Sequence, residues 1–287
     1  MSRGAGGVLG PVAAAGLLAL SAGGCRTAVS RGNVEPYWAN ALQEVYKSPG
    51  ELRAQDDREV RKGIVFRKLI HGNPHLRAVA LTFDDGPHPQ YTAQLLAILK
   101  RYDVQATFFV VGMMAERRPD LIKQIYAAGH GIGNHTYDHV NLTRIPPNLV
   151  QTEWHAGNDV VQSILGLRMA YCRPPGGDYN TGVITAAMRE GLTTVLWTDN
   201  PGDYARPGDR VIERRVLDRI APGGIILLHD GVQQTLDVLP HIVEALQAKG
   251  YRFETVDEMA RNLSAQPERV AGRLPTAPKA STDRVVR

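Results

Sequence analysis

The 287-residue chain has only two cysteines, Cys25 and Cys172, and they stand in unlike contexts. No disulfide framework holds this fold, so stability must come from a packed core, which a 43% hydrophobic content over this length can build. Aromatic residues are scarce, at 6%, and are not interleaved with basic ones, which argues against a nucleic-acid module. The net charge of +4 is a mild basic excess, suited to anionic surfaces such as cell wall or membrane. No internal repeat is visible. The apolar run Val12 to Leu20 is too short to span a bilayer comfortably.

That run instead reads as the centre of an export signal over residues 1–24, with Arg3 as its positive start and small residues at its end. Ser21-Ala22-Gly23-Gly24-Cys25 resembles a bacterial lipoprotein processing site, which implies a lipid anchor at Cys25 and an extracytoplasmic, membrane-tethered protein. It departs from the usual pattern at Ala22, where leucine is common; a simple cleaved signal, giving a secreted or periplasmic protein, is the alternative. Residues 25–62 read as a polar tether with a short helix, since Trp38, Leu42 and Val45 share one helix face behind Pro36. Residues 264–287 lack periodicity and read as a disordered basic tail.

Between these ends, over residues 63–263, strand and helix patterns alternate. Strands are expected at Ala78–Phe83, Ala106–Val111, His130–Gly133, Ala170–Cys172, Thr193–Trp197, Gly224–Leu228 and Tyr251–Thr255. Helices are expected near Tyr91–Tyr102, Pro119–Ala128, Asn148–Leu165, Thr181–Glu190, Asp209–Ile220 and Leu239–Lys249. Such alternation predicts an α/β fold with a parallel sheet, and about seven strands suggest a distorted (β/α) barrel.

The polar residues that follow these strands are chemically reactive types. Ala78–Leu81 runs through Thr82 and Phe83 into Asp84 and Asp85, then breaks at Gly86-Pro87. Alone, Asp-Asp-Gly-Pro is as well explained by a turn as by a site. Yet His135 and His139 follow the third strand, Arg173 the fourth, Asp199 and Asp203 the fifth, His229 and Asp230 the sixth. In a parallel sheet all of these meet at the C-terminal lip, where such proteins build their sites. Histidines four apart share a face in a helical turn and can point at one metal ion. With Asp85 they form a His2Asp set that leaves a coordination position open, as in catalytic zinc sites. Asp84 is then placed to take a proton from the attacking water, and His229 to give one to a leaving group.

The ordered stretches Thr82-Phe83-Asp84-Asp85-Gly86-Pro87, His135-Thr136-Tyr137-Asp138-His139, Arg173-Pro174-Pro175 and Leu227-Leu228-His229 resemble the motifs of the polysaccharide deacetylases, carbohydrate esterase family 4. The resemblance spans roughly residues 78–255. It implies a divalent metal, most often zinc, on Asp85, His135 and His139, with Asp84 as base and His229 as acid. It further implies that Arg173 tunes Asp84, that Asp203 orients and tunes His229, and that a backbone N–H near Gly176 binds the oxyanion. The reaction implied is removal of N-acetyl groups from an N-acetylglucosamine-containing polysaccharide such as peptidoglycan, a chitin-like chain or an exopolysaccharide. An O-acetyl esterase on xylan-like polymers and a non-catalytic glycan-binding lipoprotein are the alternatives. Three positions depart from the family pattern. Gly176 replaces an aromatic, Tyr204 follows Asp203 where tryptophan is usual, and Asn200 stands where an earlier aspartate is expected, with Asp199 next door. Elsewhere, His88 reads as a surface turn residue, Cys172 as a small strand residue, Trp197 as core or groove wall, and Asp230 as either a supporting partner or a turn acid.

Overall fold

Strand β2, Ala78–Asp84, is buried along its whole length, as expected of a strand covered on both faces of a parallel sheet. It is the axis of the computed structural model, which describes residues 37, 38, 41 and 44–264. The signal, Cys25 and the C-terminal tail beyond Ser264, which itself ends a helix, lie outside the described residues. On one edge β2 pairs with β7, Gly224–His229, over six positions from Val79 opposite Gly224 to Asp84 opposite His229. Its other edge is shared. β8, Arg252–Phe253, takes Ala78 and Val79, and β3, Thr107–Val110, takes Thr82 and Phe83. The sheet continues through β4, Gly131–Asn134, β5, Tyr171–Cys172, β6, Thr193–Val195, and β1, Lys68–Leu69.

Every pairing is parallel, so all strand C-termini reach one lip. No regular ladder closes the ring. Its ends meet through isolated contacts: Asp199, just past β6, bridges Ile226, and the Gly72 amide donates to the Gly223 carbonyl at 2.7 Å. The barrel is therefore distorted, as expected, with eight strands among the described residues rather than seven.

Nine helices are described: α1 Pro49–Arg61, α2 Thr92–Arg101, α3 Gly112–Arg117, α4 Pro119–Ala127, α5 Pro147–Leu165, α6 Thr181–Arg189, α7 Asp209–Arg219, α8 Gln233–Ala248 and α9 Val256–Ser264. Helix α1 lies within the stretch read as a tether. A capping box starts it, with Ser48 and Glu51 exchanging side chain and backbone bonds, and Pro49 fills its first position. Only Leu52 of α1 is buried, so no apolar stripe announces the helix. Val45, placed by periodicity on the helix face, lies instead outside any helix or strand and is 86% exposed. Helix α8 begins six residues before the expected Leu239 and carries Pro240 in its interior.

Helix α5 packs its buried face, Val150, Trp154, Gly157, Asn158 and Val161, towards β4 and its neighbours. At Gly157 an added Cβ would stand 2.6 Å from Oδ1 of the buried Asn134. Alanine usually stabilises a helix interior by about 1 kcal/mol relative to glycine. Here Gly157→Ala is expected to lower stability by about 1–3 kcal/mol through overpacking. Urea unfolding measures it, and a stabilised variant would contradict the packing described.

Candidate active site

The site starts where β2 ends. Asp84 is its last residue, and Asp85 turns out of it with φ 75°, a left-handed conformation that aspartate tolerates better than most residues. Adjacent carboxylates thereby serve different partners. Asp84 Oδ1 accepts from Arg173 Nη1 at 2.7 Å, while Oδ2 lies 3.8 Å from His135 Nε2. Asp85 Oδ1 lies 3.4 Å from His135 Nε2 and 3.1 Å from His139 Nε2.

The two histidines converge, but not on a helical turn. Residues 135–139 form a loop with left-handed backbone at Thr136, φ 68°, and His139, φ 58°. The loop is clamped from several sides. Asn134 Oδ1 accepts the Thr136 amide, and its Nδ2 donates to the Trp154 carbonyl of α5. Glu153 Oε2 accepts the amides of Tyr137 and Asp138, and the amides of Gly112 and Met113 at the start of α3 donate to the carbonyls of Thr136 and Tyr137. His135 Nδ1 lies 2.7 Å from the Arg173 carbonyl, so Nδ1 donates and Nε2 carries a free lone pair.

Asp85 Oδ1, His135 Nε2 and His139 Nε2 are buried and have no hydrogen-bond partner among the described residues. They lie within 4.8 Å of one another. Ligands about 2.0–2.1 Å from one centre stand roughly 3.3 Å apart around a tetrahedron, close to the two separations seen here. A divalent cation fits these three residues and would satisfy all three atoms. Burial opposes ionisation of Asp85, but His139 and then His135 outweigh it and hold its carboxyl well below the usual range.

Arg173 is fully buried. Its guanidinium stacks on the Phe109 ring at 4.1 Å, and Nη1 also donates to Thr82 Oγ1 at 2.8 Å. Opposite, His229 Nδ1 lies 2.7 Å from Asp203 Oδ1, whose partner oxygen accepts from the His229 amide and Thr235 Oγ1. Burial disfavours the imidazolium, but Asp203, and then Asp85 and Asp84, raise its pKa to about 9. Gly176, φ 64°, lies within a 3-10 turn over Pro175–Gly177.

The lip thus brings together Asp84, Asp85, His135, His139, Arg173, Asp203 and His229. Asp199 does not join them. It stays buried at the β6–β7 bridge, its oxygens unpartnered among the described residues. Asp230 is a supporting partner: its Oδ2 accepts from Thr92 Oγ1 and from the His88 amide at 3.3 Å, tying the loop after β2 to the end of β7. His88 is not on the surface; it is half-buried, with its ring 4.3 Å from Trp38 and 4.5 Å from Tyr91. Cys172 is buried and its thiol is pushed up to about 12, consistent with a packing role. Periodicity missed Tyr37, Glu44 and Tyr46, which border the site. The concentration of Tyr37, Trp38 and Tyr46 in a stretch of a chain poor in aromatics was the available signal.

The polysaccharide deacetylase profile matches residues 71–195. The chain is 38% identical to a peptidoglycan-N-acetylglucosamine deacetylase of Bacillus cereus, across 64% of this chain and 89% of that protein. It is 35% identical to a chitooligosaccharide deacetylase of a Bradyrhizobium species, across 64% and 90%. A crystal structure of a peptidoglycan N-acetylglucosamine deacetylase superposes with a TM-score of 0.66 at 32% identity, covering 70% of this chain and 94% of that one. The chain belongs to the polysaccharide deacetylase family, carbohydrate esterase family 4.

Two outcomes test this geometry. His135→Ala or His139→Ala should leave the protein with substoichiometric metal after loading and desalting, measured by atomic emission; full loading of both variants would exclude the proposed ligand set. The folded-state pKa of His229 lies above its free value of 6.5. The stability contributed by its charged ring is therefore complete below about 6.5 and lost as pH rises through about 9. Asp203→Asn removes the largest raising influence and leaves burial opposed only by Asp85 and Asp84, so the NMR titration midpoint of His229 should fall from about 9. An unmoved midpoint would contradict the pairing.

Proposed function

We propose that this protein removes N-acetyl groups from an N-acetylglucosamine-containing polysaccharide, with peptidoglycan or a chitin-like chain as substrate. The observation that carries the reading is the register of β2 and β7. It sets Asp84 directly opposite His229, with the Asp85–His135–His139 cluster beside them. A proton acceptor and a proton donor thus flank one place where an acetamide can sit.

Asp85, His135 and His139 would hold a divalent cation, zinc by preference for this donor set, which would supply Lewis acidity there and lower the pKa of a nearby water towards neutrality. Asp84 accepts the proton of the attacking water at Oδ2, the oxygen that Arg173 does not hold. Arg173 fixes that carboxylate's orientation through its bond to Oδ1. The Gly176 N–H donates to the oxygen that gains charge as the carbonyl carbon becomes tetrahedral. His229 donates from Nε2, since Asp203 holds Nδ1, and protonates the departing amine as the C–N bond breaks. The products are acetate and the free amino sugar.

A protonated, strongly tethered His229 favours an amide substrate, whose amine leaves poorly without a proton; an O-acetyl ester needs that proton less. The family relatives named for peptidoglycan and chitooligosaccharides support the same choice. On this reading the residue 1–24 signal and a lipid on Cys25 would place the enzyme outside the cytoplasm, beside the cell wall. Among the described residues, no helix is long and apolar enough to cross a membrane.

Asp84→Asn should retain metal yet lose at least about a hundredfold in turnover, the scale of general-base catalysis. Wild-type turnover would overturn its role. His229→Ala should slow acetamide cleavage far more than cleavage of an activated acetate ester. Equal losses on the two substrates would refute His229 as the acid.

A further inference from the structure

With every described residue in place, no polymer can reach this site. Asp84, His135, Arg173 and Asp203 have no exposed surface, and His229 has 1%. A cleft of about 550 Å³ stays open alongside, lined by Glu44, Lys47, His139, Asn141, Arg144 and Asp178 among others, and of the ligand and acid–base groups it reaches only His139. Over Asp85, His139 and His229 lie Tyr37, Glu44 and Tyr46, from the segment before α1.

That segment is fastened at several points. The Tyr37 hydroxyl donates to the Asp85 carbonyl at 3.0 Å. The Tyr46 ring lies 4.4 Å from that of Tyr204 and 4.7 Å from that of His229. The Lys47 amide donates to the Gly176 carbonyl at 3.0 Å, and Trp197 Nε1 donates to the Lys47 carbonyl at 3.1 Å. Between these fastenings stands Glu44. One carboxylate oxygen is 3.2 Å from His139 Nε2 and is buried without a hydrogen-bond partner among the described residues. The other lies 2.9 Å from where a Cβ on Gly176 would be. The Glu44 carboxylate therefore spans the gap between a candidate metal ligand and the candidate oxyanion donor, where the scissile acetyl group has to bind.

Gly176 makes this arrangement possible. Any side chain there would strike Glu44 and the Val45 carbonyl, also 2.9 Å from the Cβ position. The aromatic expected after Arg173-Pro174-Pro175 is thus absent where this strap crosses.

We propose that Tyr37 and Glu44–Lys47 belong to an autoinhibitory strap, with Glu44 as an internal stand-in for acetate, which an acetylated glycan must displace. The proposal rests on the deacetylase reading for the identity of that glycan. A strap seated about nine-tenths of the time weakens any ligand that must displace it about tenfold.

The test uses the full chain loaded with cobalt(II), whose visible spectrum reports on its coordination, titrated with acetate. Glu44→Gln should bind acetate about tenfold more tightly than wild type, lose metal faster to a chelator, and show a lower KM for N-acetylglucosamine oligomers. In wild type, hydrogen exchange at residues 44–47 should rise when an N-acetylglucosamine tetramer is added. Unchanged acetate affinity and chelation rate, with a raised KM or with protection that persists or deepens on adding oligomer, would overturn the strap and make the segment a fixed groove wall. Turnover of oligomers with that second pattern leaves the deacetylase reading standing. A shift in acetate affinity and chelation without turnover of any N-acetylated glycan leaves the strap standing and removes the deacetylase.

Discussion

The buried ion pair between Arg173 and Asp84 is the constraint on which the rest of the site depends. Neither side chain is exposed, and losing one partner of such a pair costs about 3–5 kcal/mol because the other charge is stranded. The guanidinium is held through Nη1 by Asp84 and Thr82 Oγ1, through Nε by the Val195 carbonyl, and across its plane by the face of Phe109. Its own backbone reaches further: the Arg173 amide donates to the Asn134 carbonyl, and its carbonyl receives His135 Nδ1. One residue at the end of β5 therefore orients both the candidate base on β2 and a candidate metal ligand after β4. Among the described residues the network leaves Asp84 Oδ2, His135 Nε2 and Arg173 Nη2 unpaired, and the first two are the atoms placed for chemistry.

A second network mirrors it. Asp203 uses both oxygens on His229, one on the ring and one on the amide, and Thr235 braces it from α8. Each reactive group is thus paired on its far side and unpaired on its near side. Such one-sided satisfaction keeps donors and acceptors aimed at a common point in a medium of low polarity, where electrostatic effects on a reacting group are largest.

Much of this was legible in the sequence. β2 and β7 are short, apolar and closed by turn residues, and their acids and histidine fall at the lip because parallel strands share a direction. The spacing of His135 and His139 correctly indicated convergence but for the wrong reason. Side-chain periodicity carries no information about the left-handed residues Thr136 and His139, nor about the clamps from Asn134 and Glu153 that bend the loop. Helix α1 was hidden because it buries only Leu52 and so shows no apolar stripe, and only the Ser48–Glu51 capping pattern marked it. Glu44 was hidden for a different reason: its contacts with His139 and the Gly176 position join residues about a hundred positions apart or more, and the helical period read through Trp38, Leu42 and Val45 says nothing of them. The departure at Gly176 was visible as a lost groove wall, yet its consequence, room for the Val45 carbonyl and the Glu44 carboxylate, needed the fold.

The central claim is that this buried cluster is a metal-dependent amide deacetylase. Acetate release from N-acetylglucosamine oligomers by the full chain, metal-stripped and again with zinc restored, tests it most directly. The account predicts release that vanishes on stripping and returns with zinc. Equal release in both states, or release from an acetylated xylan but none from the oligomers, would contradict it.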